Sequence, residues 1–170
     1  MLEYPKERIE LAKIAGYLHD IGNNINREGH AHTGAILAFN ILKDMGMDVK
    51  DRLDIMKAIG NHDEQTGRPI SDISAALILA DKSEVHRDRV VKKDKPRFDI
   101  HDRVNYAVTE AELTIDNKEK KIILELKIDT KICPILDYFK IFMDRTMMSK
   151  YAAKHLEIWY ELIINDTKLL

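Results

Sequence analysis

The segment at residues 14–22 is an apolar stretch that ends in a histidine and an aspartate side by side. Apolar residues in and before it recur at the spacing of three to four that is typical of a buried helix face, at Ile9, Ala12, Ala15, Leu18 and Ile21. This pattern predicts a helix over residues 6–21, with His19 and Asp20 in the last turn and Gly22 ending it in a left-handed conformation. The pair alone could be an ordinary helix end, because the helix dipole favours a histidine there.

Further histidines and acidic residues stand at or near the ends of other predicted helices, which cover residues 30–45, 49–59 and 73–86. They are His30 and His32, His62 with Asp63 and Glu64, and Asp81. Asp81 follows four apolar residues, and a carboxylate in such a stretch costs free energy unless it is paired or bound to a cation. His30 and Gly34 share a helix face, and the small residue would allow close approach to the helix that carries His19.

The order and spacing of these motifs resemble the HD superfamily of metal-dependent phosphohydrolases over residues 8–90. The resemblance implies an all-helical domain and a metal site made of His19, Asp20 and Asp81, with a second ion reached by His30 and His62. It leaves His32 outside the ligand set. The family's usual pattern has another histidine well upstream of the His-Asp pair, and no histidine precedes His19 here. We expect either a missing N-terminal piece or a site with one ligand fewer.

The activity that the resemblance implies is hydrolysis of a nucleotide or another phosphate ester or anhydride by a metal-activated hydroxide. Asp20 is the expected bridge if two ions bind, since a carboxylate has two oxygens. Mixed imidazole and carboxylate ligands favour manganese, iron or cobalt, with magnesium also compatible, as one or two ions. Two alternatives stay open: a degenerate, non-catalytic HD-type module that binds a nucleotide or other ligand for regulation, and an enzyme similar to di-iron oxygenases.

Basic residues follow Asp81 closely in the sequence. Lys82 and Arg87 are candidates for contact with a substrate phosphate, because an ammonium or a guanidinium near a metal site suits that group. A solvated basic helix end explains them equally well. Asp63 and Glu64 could accept hydrogen bonds from a ligating imidazole, although solvation of a loop is the better explanation for Glu64.

The periodicity changes after a charged loop at residues 90–98, which we interpret as a domain boundary. We predict a helical HD-type domain at residues 1–90 and a small α+β unit at residues 98–170, so the fold class is mainly α. Alternation beginning at Val104, Tyr106 and Val108 predicts the first strand of a hairpin, and residues 122–128 form the second strand. A helix from Pro134 to about residue 154 and a strand at residues 157–164 follow. The methionines and aromatic residues of that helix indicate either core or the surface of a homodimer.

Composition excludes several other classes of protein. The 170 residues are 33% charged and 45% hydrophobic, which is typical of a globular chain. Lys and Arg number 27 against 29 Asp and Glu, and a net charge of -2 argues against non-specific nucleic-acid binding. Cys133 is the only cysteine, so no internal disulfide can form. With no signal-like start or long apolar run, we expect a cytoplasmic protein without a membrane partner, acting on a small phosphorylated substrate.

Overall fold

The computed structural model describes residues 2–90 and 99–170. The predicted charged loop therefore lies outside the described residues from position 91 onward. Two compact units are found: the first contains the chain up to Asp81 together with Tyr151–Glu157, and the second contains the described residues between Lys82 and Lys150 together with Ile158–Leu170. The division at residues 90 and 98 stays a prediction. The described residues are mainly helical and include a four-stranded sheet, which confirms the predicted fold class.

The first unit is built from helices whose apolar stripes meet in one core. They are α1 (Lys6–Leu18), α2 (His30–Asp44), α3 (Val49–Gly60) and α4 (Asp72–Ser83), the last of which continues past the unit at Asp81. Buried side chains from all four helices form the core, among them Leu11, Ala15, Ala38, Leu42, Ile55, Ile59, Ile73 and Leu77. Asp48 caps α3 by accepting a hydrogen bond from the Lys50 N–H, and Gly46 follows α2 with a φ of 82°.

The end of α1 differs from the prediction. The helix stops at Leu18, and a short 3-10 turn, Ile21–Asn24, follows. Gly22 lies in that turn, and the described glycines with a positive φ are Gly29 and Gly46 alone, so the predicted left-handed stop is wrong. Gly22 is required for packing instead: a Cβ there would lie 2.1 Å from the His30 carbonyl oxygen and 2.7 Å from the Gly34 nitrogen.

The predicted close approach at Gly34 is confirmed. A Cβ on Gly34 would lie 3.2 Å from both the His19 carbonyl oxygen and the Gly22 nitrogen. The two glycines therefore let the segment after α1 meet the first turn of α2 backbone against backbone. Because His19 and His30 stand on these two segments, the glycines also set the distance between the two histidines.

Arg8 ties three helices of the first unit together. Its Nη1 lies 2.8 Å from Asp54 Oδ2, and its Nε donates to Asp72 Oδ2 at 3.1 Å. The hydrogen bonds with Asp72 are the largest cause of a raised pKa of the guanidinium. The fork thus joins α1 to α3 and to the first turn of α4.

The second unit contains a sheet with one helical crossover. Its elements are α5 (Ile100–Ala107), β1 (Val108–Asp116), β2 (Lys121–Ile128), α6 (Ile135–His155, of which the residues from Tyr151 belong to the first unit), β3 (Trp159–Ile164) and β4 (Thr167–Lys168). Strand order is β1-β2-β3-β4, with β2 and β3 parallel and the other pairs antiparallel. The predicted hairpin is confirmed, whereas β4 was not predicted from the sequence. Phe142 and Met148 of α6 are buried, while Leu136 and Met143 are exposed.

Residues 100–107 are helical, so the strand predicted to begin at Val104 and Tyr106 is wrong there and starts at Val108. Asp99 caps this helix by accepting a hydrogen bond from the Asp102 N–H. Val104 and Ala107, three residues apart, are both buried on one helix face. The short alternation was compatible with either structure, and the cap together with the burial of Ala107 fits the helix.

Within the parts of the chain that the structure describes, no helix combines the length and the apolar character that a membrane crossing requires.

Candidate metal centre

The five predicted metal ligands lie together in the first unit, at the ends of its helices: His19, Asp20, His30, His62 and Asp81. They form two overlapping groups of three that share His62, and within each group the ligand atoms lie within 4.8 Å of one another. The imidazoles of His30 and His62 are almost fully buried, at 3% and 1% exposure. His32 is exposed on α2.

Main-chain carbonyls hold all three imidazoles in one tautomer. Each ring donates its Nδ1–H to the carbonyl three residues earlier: His19 to Gly16 at 2.7 Å, His30 to Arg27 at 3.0 Å, and His62 to Ile59 at 2.6 Å. A carbonyl oxygen can only accept, so the hydrogen of each neutral ring must be on Nδ1. Each Nε2 is then left with a lone pair, which is the atom that a metal ion would take.

The three Nε2 atoms face the carboxylate of Asp20. Its Oδ2 lies 3.7 Å from His19 Nε2, while its Oδ1 lies 3.4 Å from His30 Nε2 and 3.8 Å from His62 Nε2. The Nε2 atoms of His30 and His62 are only 3.1 Å apart. With both hydrogens on Nδ1, two lone pairs would point at each other across this gap, and a cation or a proton between them removes that repulsion. The donor set therefore fits a divalent ion.

Electrostatics favour the deprotonated carboxylate of Asp20 and the neutral imidazole of His30, which are the forms that bind a metal ion. Contact with the His62 imidazole, followed by the charge of His19, lowers the pKa of Asp20 to about 2 although burial opposes the shift. Burial, with Arg27 nearby, lowers the pKa of His30, which keeps this ring neutral. His19 shifts the other way: its Nε2 lies 3.6 Å from Oδ1 of the nearly buried Asp81, and this contact is the main cause of its raised pKa.

A tight loop after α3 positions His62. The Gly67 N–H donates to the Asp63 carbonyl at 2.7 Å, and a Cβ on Gly67 would lie 2.2 Å from the Asn61 carbonyl oxygen. The Asp63 carboxylate lies 3.6 Å from His30 Nδ1, behind the ring as seen from Asp20. At this distance Asp63 does not accept the Nδ1–H of His30, which is donated to the Arg27 carbonyl, so the hydrogen bond suggested for Asp63 is not formed with this ring. The sequence gave no sign of the role of Gly67. The assignment of Glu64 to loop solvation stays a prediction.

Arg27 is a residue near the cluster that the sequence analysis missed. It lies in the loop before α2, its side chain is 71% exposed, and its Nη1 is 3.8 Å from Asp20 Oδ1. An exposed arginine in an asparagine-rich loop carries no signal of its own, and only the predicted position of the loop tip beside the site could have pointed to it.

Lys82 and Arg87 belong to the second unit. Lys82 is buried at 5% exposure, and the Arg87 guanidinium carbon lies 5.3 Å from the centre of the Tyr106 ring. This stacking gives Arg87 a packing role within its own unit. The substrate contacts suggested for both residues stay predictions.

The donor types match a divalent metal ion. Three imidazole nitrogens and two carboxylates form the mixed nitrogen and oxygen set that suits several transition ions. Whichever group uses the single free Nε2 of His62 supplies three protein ligands, which leaves positions for water or substrate, as in catalytic rather than structural metal sites.

Comparison with known proteins adds one finding to this geometry. The family model described as the HD domain matches residues 1–127, which is well over half of the chain. Comparison with curated proteins and with solved structures gave no significant match. HD domains bind divalent metals, and the family is metal-dependent and phosphohydrolase-like in general. With its His-Asp pair at the centre of the cluster, the chain belongs to the HD domain family.

Proposed function

We propose that the protein is a metal-dependent phosphohydrolase that acts on a nucleotide or another phosphate ester or anhydride. The observation that carries the proposal is the direction of the three imidazoles, whose Nδ1 atoms are bound to carbonyls and whose Nε2 atoms face Asp20. His19 and Asp81 would hold an ion on one side of Asp20, with His30 and His62 reaching one on the other. Manganese, iron or cobalt suit these ligands, and magnesium is compatible with them.

When bound, a divalent cation supplies positive charge to phosphoryl oxygens and lowers the pKa of a coordinated water, so that hydroxide is available for attack on phosphorus near neutral pH. Asp20 directs its two oxygens to different imidazoles and stays anionic across the physiological range, so it would be available as a ligand on either side. Its side chain is 49% exposed, which leaves an open side for substrate. The buried imidazoles of His30 and His62 face the other side of Asp20. Because water supplies the attacking oxygen, no protein nucleophile is required.

Metal content and hydrolysis should be measured on the same preparations. The protein would be purified with and without oxygen, analysed for metal, and loaded with manganese or with ferrous iron. Each preparation would be assayed on a panel of phosphate esters and anhydrides and for oxygen consumption. Asp20→Asn and Asp81→Asn keep the side-chain shape but remove a charged ligand, and Asp44→Asn changes an exposed aspartate at the far end of α2 as the matched control.

We expect one or two ions per chain and hydrolysis that follows the metal, with both lost in the Asp20 and Asp81 variants and kept in the control. Metal binding without turnover would favour the non-catalytic HD-type module. Metal-dependent oxygen consumption without ester hydrolysis would favour the di-iron alternative. A homodimer and a cytoplasmic location remain proposals from the sequence.

A further inference from the structure

Arg27 is fixed beside the metal cluster by its main chain and leaves its side chain in solvent. Its carbonyl accepts the Nδ1–H of His30 at 3.0 Å, so the residue cannot move away without releasing a predicted ligand. Its guanidinium donates to Asn23 Oδ1 at 3.3 Å and lies 3.8 Å from Asp20 Oδ1. The side chain is therefore an exposed cation held at the rim of the site.

Metal binding would change the surroundings of this guanidinium. An ion bound to Asp20 would neutralise the carboxylate charge that now attracts Arg27. The divalent cation would also repel the nearby guanidinium. A bound anion that extends over both positive centres removes this repulsion. A single phosphoryl group would be held mainly by the ions, whereas a second, adjacent one would place its oxygens over the rim, where the planar fork of an arginine suits them.

We infer that Arg27 binds the phosphoryl group next to the one that is hydrolysed, so that the site prefers a phosphoanhydride over a phosphate ester with a single phosphoryl group. This inference rests on the proposed function, because it takes the metal cluster as the place where hydrolysis occurs. It adds a substrate class and a specificity residue that the ligand set does not define.

The test compares two non-hydrolysable probes on the manganese-loaded full chain by titration calorimetry. Methylenediphosphonate carries two adjacent phosphoryl-like groups, and methylphosphonate carries one. Arg27→Gln removes the charge, and Arg27→Lys keeps the charge without the fork. Lys43→Gln removes an exposed charge from the last turn of α2, thirteen residues or about 20 Å along the helix from His30, and is the matched control.

We expect the unmodified protein and Lys43→Gln to bind the diphosphonate more tightly than the monophosphonate. Arg27→Gln should weaken diphosphonate binding by about 10-fold to 100-fold, as for a lost charge-assisted hydrogen bond, and Arg27→Lys should fall between. Metal content in Arg27→Gln should match the unmodified protein, because the carbonyl that anchors His30 is kept. Equal preference for the two probes in the unmodified protein, or an Arg27→Gln variant that keeps the diphosphonate preference, would overturn the inference.

Hydrolysis assays on the same samples separate this inference from the proposed function. Turnover of phosphate compounds with a diphosphonate preference that does not depend on Arg27 would leave the proposed function standing and overturn the role of Arg27. An Arg27-dependent preference without any turnover would support the binding role while the hydrolase proposal fails. With turnover, the ratio of kcat/KM for pyrophosphate to kcat/KM for bis(p-nitrophenyl) phosphate should fall at least about 10-fold in Arg27→Gln.

Discussion

Gly22 controls the distance between His19 and His30, and its replacement by alanine should damage both stability and metal binding. A Cβ at this position would lie 2.1 Å from the His30 carbonyl oxygen, which is 1.3 Å short of the 3.4 Å at which ordinary contact begins. The obstructing atoms are main chain, so no side-chain rotation can relieve the clash. The segment that carries Asp20 must therefore move away from the first turn of α2.

The expected cost is about 2 to 3 kcal/mol, at the upper end for an overpacked site. For a chain of this size it corresponds to a melting temperature lower by roughly 5 to 10 °C. Displacement of a ligand by about 1 Å should also weaken metal binding by about 10-fold to 100-fold, as does loss of a group that orients a ligand. Circular dichroism melting of the metal-free protein and manganese titration measure the two effects separately.

Gly16→Ala is the matched control for this experiment. Gly16 lies inside α1, and a Cβ there would meet nothing within 4 Å. The same substitution should raise stability by about 0.5 to 1 kcal/mol, because alanine favours a helix over glycine, and it keeps the carbonyl that accepts from His19. A Gly22→Ala protein as stable as Gly16→Ala, with unaltered manganese affinity, would refute the close packing on which the reasoning depends.

Gly67, Arg8 and His19 also lie in the first unit, and each can be tested by one change. Gly67→Ala should lower the free energy of unfolding by about 2 kcal/mol and weaken manganese binding, because the added Cβ would meet the Asn61 carbonyl. Unchanged melting and titration curves would contradict this. Arg8→Met should keep the packing of the aliphatic part of the side chain but lower the free energy of unfolding by about 1 to 2 kcal/mol in denaturant titration, because Asp72 loses the guanidinium that donates to it. A change within about 0.5 kcal/mol would argue against Arg8 as a link between the helices. Manganese affinity should fall as the pH drops through the raised pKa of His19, above about 6.5, by up to about 10-fold per pH unit, because a proton competes for Nε2. The stability of the metal-free protein should depend on pH in the opposite direction. Protonated His19 beside Asp81 and Asp20 adds stability at low pH, and this contribution is lost as the pH rises through the raised pKa of His19. A flat affinity between pH 8 and 6 would contradict the assignment.

The cluster of histidine and aspartate side chains was largely predictable because its members lie at the ends of apolar helical patterns. Those patterns define which faces are buried, and a charged residue on a buried face needs a partner, as Asp81 does with His19. The resemblance to the HD superfamily placed the ligand at His30, four residues before Gly34, and not at His32. The structure has His30 in the cluster and His32 in solvent. The order of the motifs along the chain and their resemblance to the HD superfamily were sufficient for this part.

Features that depend on the three-dimensional path of the backbone were not predictable from residue types and periodicity. Gly22 was read as a local helix stop, whereas its role is set by the backbone of α2. The choice between strand and helix at Val104 depends on a cap and on burial that a short alternation does not reveal. Arg27 and Gly67 lie in polar loops, where the sequence gives a turn but not the atoms that the turn approaches.

The most direct test of the metal centre is a crystal structure of the manganese-loaded protein with anomalous scattering data. We predict a peak, or two, next to Asp20 and within direct coordination distance of the Nε2 atoms of the ligating histidines, with each Nδ1 still donating to its main-chain carbonyl. A fully loaded crystal with no peak among His19, Asp20, His30, His62 and Asp81, or with ligation through Nδ1, would contradict the account.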